Sequence, residues 1–145
     1  MTEQEKWDYI LALEEELLKG GVILSEWSTF LANDAETAFC SGANLAAILA
    51  AQAAVESHLR YEYLDPAVAR GWGLYQMLDS VPIPVDLKDD LHRLRRFRNR
   101  WVHVEDPSQD EHLLERPEYH SVELEKMAEL AMRSMLRVLY SEQWL

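Results

Sequence analysis

The chain has 145 residues and carries 26 acidic against 14 basic side chains, a formal charge of −12. That length predicts one domain spanning residues 1–145, able to bury roughly 68–70% of the surface its unfolded chain would expose. The charge excludes a protein that coats nucleic acid or an anionic membrane with a whole cationic face. A single cysteine, Cys40, excludes an internal disulfide.

Alanine, leucine and glutamate dominate while β-branched residues are sparse, so the expected fold class is all-α, a bundle of about five to six helices. The first helix is predicted from Thr2, with Glu5 closing a capping box, to the Gly20-Gly21 pair. Its apolar face reads Trp7, Ile10, Leu11, Leu17 and Leu18 with Leu13 at the edge, and Glu14 falls inside that arc. Ser25 to Phe39 has a capping serine, but Asn33-Asp34 in its middle leaves one bent helix or two short ones open. The strongest helix runs from about Asn44 to Leu64, before Asp65-Pro66. A short helix is expected around Ala67 to Leu78, then a proline-stiffened turn over VPIPV (Val81 to Val85). The next helix spans Asp86 to about His103. An acidic loop, Val104 to Glu118, leads to a last helix from Ser121 to Tyr140. The most apolar run, Leu45 to Val55, is far shorter than the roughly 20 residues of a membrane span. With a first segment too acidic for a secretion signal, it makes the cytoplasm the expected compartment, with no membrane partner.

Two helices carry a charge where apolar side chains are expected. On a wheel of about 100° per residue, Leu87, Leu91, Leu94, Phe97, Trp101 and Val102 share an arc with Arg98 near its middle. Leu45, Ile48, Leu49, Gln52, Val55, Leu59 and Tyr63 form a second stripe, with Glu56 near its centre. A lone buried ion costs several kcal/mol, so Glu56 and Arg98 are expected to meet, with Glu14 as the competing acid. Such a pair can fix helix register alone, or Glu56 can orient Arg98 as a phosphate ligand.

Five arginines stand in the eight residues from Arg93 to Arg100, with no acid among them. His92, Arg96, Asn99 and His103 are spaced four, three and four apart, which aligns them on one polar face able to hold a phosphate. Asn99 is placed to hydrogen-bond the His103 ring and select its tautomer. The same arginines also oppose the negative end of their helix. No metal site is expected: His92 and His103 are separated by about 16 Å along the helix. Cys40 reads as a small core residue rather than a nucleophile. Gly71 and Gly73 lack the strand and phosphate-loop context of a nucleotide binder, and no cofactor is expected.

The segment LHRLRRFRNRWVH (Leu91 to His103) resembles the signature of the HEPN superfamily, an arginine followed by a polar residue and, after a short spacing, a histidine. Arg98, Asn99 and His103 supply it. The glutamate-bearing alanine-rich helix, GLYQML (Gly73 to Leu78), the proline turn and the final helix extend the resemblance over about Asn44 to Tyr140. The resemblance implies a helical bundle that forms a homodimer and, in many members, cuts RNA without a metal. His103 would then act as general base or acid around the ribose 2′-hydroxyl, Arg98 would stabilise the phosphorus-centred transition state, and Asn99 would position the histidine or the phosphate. Arg95, Arg96, Arg100 and His92 are the candidate substrate-binding residues, Glu56 the structural support, and a protein antidote or regulator is an implied partner. Against extended RNA stand Glu105, Asp106, Asp110, Glu111, Glu115 and Glu118 just after the motif. Arg98 and His103 also lie about 140° apart on an ideal helix, which favours completion of the site by a fraying helix end or a second subunit. Two other readings remain open: a non-catalytic interaction or regulatory module binding a protein or nucleotide, and a bundle enzyme acting on a small nucleotide.

Overall fold

Residues 1–108 and 113–145 are described by a computed structural model; Asp110 and Glu111 of the acidic loop lie outside these described residues. The fold is all-helical, with α1 Glu3–Leu17, α2 Glu26–Cys40, α3 Asn44–Tyr63, α4 Leu74–Ser80, α5 Val85–Val102 and α6 Pro117–Leu139. Thr2 caps α1 in the expected box: its hydroxyl accepts from the Glu5 amide at 3.1 Å while the Glu5 carboxylate accepts from the Thr2 amide at 2.8 Å.

The inner line of α1 is Lys6, Ile10 and Leu13 rather than the predicted arc, and Leu11 is 64% exposed. Lys6 explains the rotation. Its stem is buried, and its ammonium lies 5.1 Å from the Phe39 ring centre and 3.4 Å from Asn44 Oδ1, beside the negative end of α2. Glu14 does not compete for Arg98, because its carboxylate accepts a hydrogen bond from the Tyr140 hydroxyl at 2.9 Å.

The helix α1 stops at Leu17, short of Gly20-Gly21, and the glycines serve a tertiary contact instead. The Gly21 amide donates to the Trp144 carbonyl at 2.8 Å, and the Trp144 amide returns the bond at 3.0 Å. A Cβ on Gly20 would sit 2.1 Å from the Trp144 carbonyl oxygen, so the C-terminal residues fit only against a bare backbone. Gln143 completes the clasp, accepting from the Lys19 and Gly20 amides and donating to the Leu17 and Tyr140 carbonyls.

One uninterrupted helix, α2, passes through Asn33-Asp34, which resolves the alternative left open by the sequence. Its Ser25 cap accepts from the Ser28 amide, and buried Ser28 donates to Ser57 Oγ on α3 at 3.1 Å, so tertiary packing holds what local propensity leaves weak. The small residues Ala47, Ala51 and Ala54 of α3 are buried, letting the neighbouring helices approach closely, while Leu49 is turned outward. Downstream, α4 is shorter than predicted. Residues 67–73 form turns, with Gly71 at φ 77°, and Arg60 donates to the Ala69 and Trp72 carbonyls there.

Antiparallel to α5, α6 is tied to it by Asp86–Arg137 at 2.9 Å near one end and Arg100–Glu123 at 3.6 Å near the other. It starts at Pro117, before the predicted Ser121, because proline has no amide to lose in the first turn. Its inner face holds Met127, Ala128, Ala131, Met132, Met135, Leu136, Val138 and Leu139. Val102, placed on the buried arc of α5 by the wheel, is exposed instead. Among the described residues no helix is long and apolar enough to cross a membrane.

Candidate functional site

The charges of α5 run in the order that its dipole favours, Asp86, Asp89 and Asp90 early and the arginines late. Leu87, Leu91, Leu94 and Phe97 anchor the inner face. Arg98 lies beside that anchor. Its Nη1 stands 3.9 Å from Glu56 Oε1, and the two side chains are 26% and 32% exposed, so the expected pair forms at the rim of the core rather than within it. Its Nη2 donates to Asn99 Oδ1 at 3.0 Å, and its Nε is buried without a protein partner. A guanidinium has five N–H donors, so these contacts hold the group and leave donors to spare.

His103 is the C-cap of α5, with φ −113° and ψ 66°, and its amide donates to the Asn99 carbonyl. The backbone has left the helical path there, so the 140° separation expected of an ideal helix does not apply to this residue. The imidazole is exposed and makes no hydrogen bond among the described residues. The anticipated Asn99 to His103 side-chain bond does not form, and Asn99 Oδ1 accepts from Arg98 instead.

The expected polar face divides in two. His92 and Arg95 turn toward α4: the His92 ring packs 5.3 Å from Tyr75, the Arg95 guanidinium lies 5.1 Å from the same ring, and Arg95 Nε points at His92 Nδ1 from 3.4 Å. The His92 Nε2 faces Asp79 at 3.7 Å. Arg96 is exposed, and Arg100 lies over Phe97 at 5.7 Å while reaching Glu123. The motif end of α5 therefore presents Arg96, Arg100 and His103 outward, with Arg98 and Asn99 beside them.

The acidic loop is partly self-engaged. Asp106 accepts from the Ser108 amide and hydroxyl at 3.0 and 2.6 Å, which holds its carboxyl below the usual range. Cys40 is buried, and burial, then the charge of Glu36, pushes its thiol up, away from nucleophilic character. Among the described residues no group of three or more His, Cys, Asp or Glu side chains is arranged to hold a metal ion.

Sequence reasoning missed a groove of about 460 Å³ at this same end, between the start of α3, the end of α5 and the start of α6. Trp101 and His120 meet there edge to face, ring centres 6.4 Å apart at 87°. Nothing in the linear spacing of these residues pairs them; only the antiparallel return of α6 does. No family model matches the chain, and comparison with curated proteins and with solved structures finds no similar protein.

Proposed function

We propose that the protein is a dimeric, metal-independent endoribonuclease of toxin or defence type, in which Arg98, Asn99 and His103 act as an HEPN-like motif. The supporting observation is the state of the motif: a guanidinium held between Glu56 and Asn99 with donors unspent, and an imidazole left unpartnered at a helix end. In the reaction, His103 removes the proton from a ribose 2′-hydroxyl, and the oxygen attacks the adjacent phosphorus. The 5′-oxygen leaves with a proton from His103 of the second subunit, giving a 2′,3′-cyclic phosphate and a 5′-hydroxyl. Imidazole suits both transfers because its ordinary pKa is about 6.5. Arg98 stabilises the added charge on the phosphorane oxygens, and a fixed donor there acts on the transition state more than on the substrate.

The test is cleavage of a single-stranded RNA by the purified dimer in EDTA, with product ends mapped. Cyclic phosphate ends that vanish in His103→Ala support the reading. Cleavage that persists in that variant, or no cleavage by the native dimer, ends it. The second outcome favours a non-catalytic interaction module, for which the specific support is that Asn99 Oδ1 is spent on Arg98 rather than on the imidazole.

A further inference from the structure

The groove beside the motif has no role in the chemistry above, yet its walls are specific. At about 460 Å³ it lies within the roughly 300–1,000 Å³ typical of small-molecule sites and is larger than a packing defect. Leu45 and Leu124 make it apolar, and Trp101 and His120 give it two aromatic rings in perpendicular contact. Neither the His120 nor the Trp101 ring nitrogen has a hydrogen-bond partner among the described residues. A flat apolar ring with polar edges matches such walls better than an aliphatic chain, because aromatic faces stack while free N–H and N groups read the edge.

Groups able to meet an anionic carrier of that ring lie close by in the chain. Arg100, which also reaches Glu123 at 3.6 Å, is one residue from Trp101, and His103 is two residues on, at most about 7 Å along the chain. Ala43 offers no side-chain cap to α3, whose first residues, Asn44 to Ala46, line the groove. We infer that this groove is a stacking subsite for one unpaired base of a single-stranded RNA, laid against the Trp101–His120 pair so that the adjoining phosphate lies at the motif. The ligand's identity rests on the ribonuclease reading; the groove deepens it by making an unpaired base a requirement for binding. Duplex RNA, whose bases are stacked on each other, is then a poor ligand.

The experiment uses full-length protein carrying His103→Ala, which blocks turnover, and a fluorescent single-stranded hexanucleotide titrated at fixed low salt. Trp101→Leu and His120→Ala added to that background are expected to weaken binding by roughly tenfold or more, as loss of one stacked base does. A matched oligonucleotide with one abasic site per strand is expected to bind the parent as weakly as the intact strand binds the variants. His120→Ala removes a smaller, partly buried ring and keeps the measurement valid where Trp101→Leu fails to fold. Equal affinity for intact and abasic strands, unchanged affinity in folded His120→Ala, or no binding by the parent overturns the subsite. Base-dependent binding without cleavage by the native protein keeps the subsite and overturns the ribonuclease.

Discussion

The two ends of the bundle are built differently. At one end Gln143 ties four backbone groups, Gly21 and Trp144 exchange amide bonds, Tyr63 bonds Ser141 at 2.6 Å, and Tyr140 bonds Glu14. At the other end, α3 and α6 begin without side-chain caps, α5 frays at His103, and the rings of Trp101 and His120 line an open groove. Interlocking contacts gather at the first end, where no candidate chemistry lies, and Arg98, His103, Trp101 and His120 stand at the second. Functional surfaces are drawn from the less stable parts of a fold, because groups committed to one another cannot also bind a ligand.

The largest test of that contrast strikes the open end. His103→Ala is expected to lower RNA cleavage by about 10² to 10⁴, the usual contribution of an acid-base group, with no change in melting temperature because the ring is exposed. A fall in melting temperature of several degrees would place the residue in the scaffold instead. At the closed end, Gly20→Ala should do the opposite: destabilise by about 2 kcal/mol through overpacking against Trp144, readable as a fall of several degrees, with cleavage by the folded fraction intact.

A third test concerns Glu36, half-buried on α2, whose carboxyl is pushed up to about 7 by burial and then by the charge of Glu14. The neutral form suits the site, so its stabilising contribution is full below the ordinary value of 4.5 and is lost as pH climbs to about 7. Glu36→Gln should therefore raise stability at pH 8 by on the order of 1 kcal/mol, discounting for solvent screening, and leave it unchanged at pH 4. Equal melting curves at pH 8 would mean that neither burial nor Glu14 disfavours the charged Glu36. The smallest effect is expected from Ala43→Asp, which supplies the missing cap of α3. Stability should rise by about 0.5 kcal/mol while RNA binding weakens, since the carboxylate occupies amides at the groove. Gains in both would separate that helix start from the ligand.

What was legible in the sequence was local. The box at Thr2, the cap at Ser25, the stop before Pro66 and the charge-bearing face of α5 each follow from residues within one or two turns. The Glu56–Arg98 contact was also legible, because two charges on apolar stripes demand a partner, though its 3.9 Å separation and partial exposure make it looser than a core pair. Arg98→Ala is for that reason not expected to unfold the protein as a fully buried pair would. The illegible parts depend on residues far apart in sequence. Gly20-Gly21 reads as a helix stop until Trp144 is laid against it, α2 reads as breakable until Ser28 meets Ser57, and the groove exists only when Trp101 and His120 are brought together.

His58 on α3 is sealed from solvent with both ring nitrogens unpartnered, and burial holds its proton affinity below the ordinary value. Once acidity passes about pH 6.5 the unfolded chain protonates this ring and the folded one does not, so acid draws molecules out of the native state. Glu36 tilts the balance the other way between about pH 7 and 4.5, and where the two ranges overlap the slopes partly cancel. A protein deprived of Glu36 would keep only the histidine's slope, falling with acid from a higher stability at neutral pH than the native chain has.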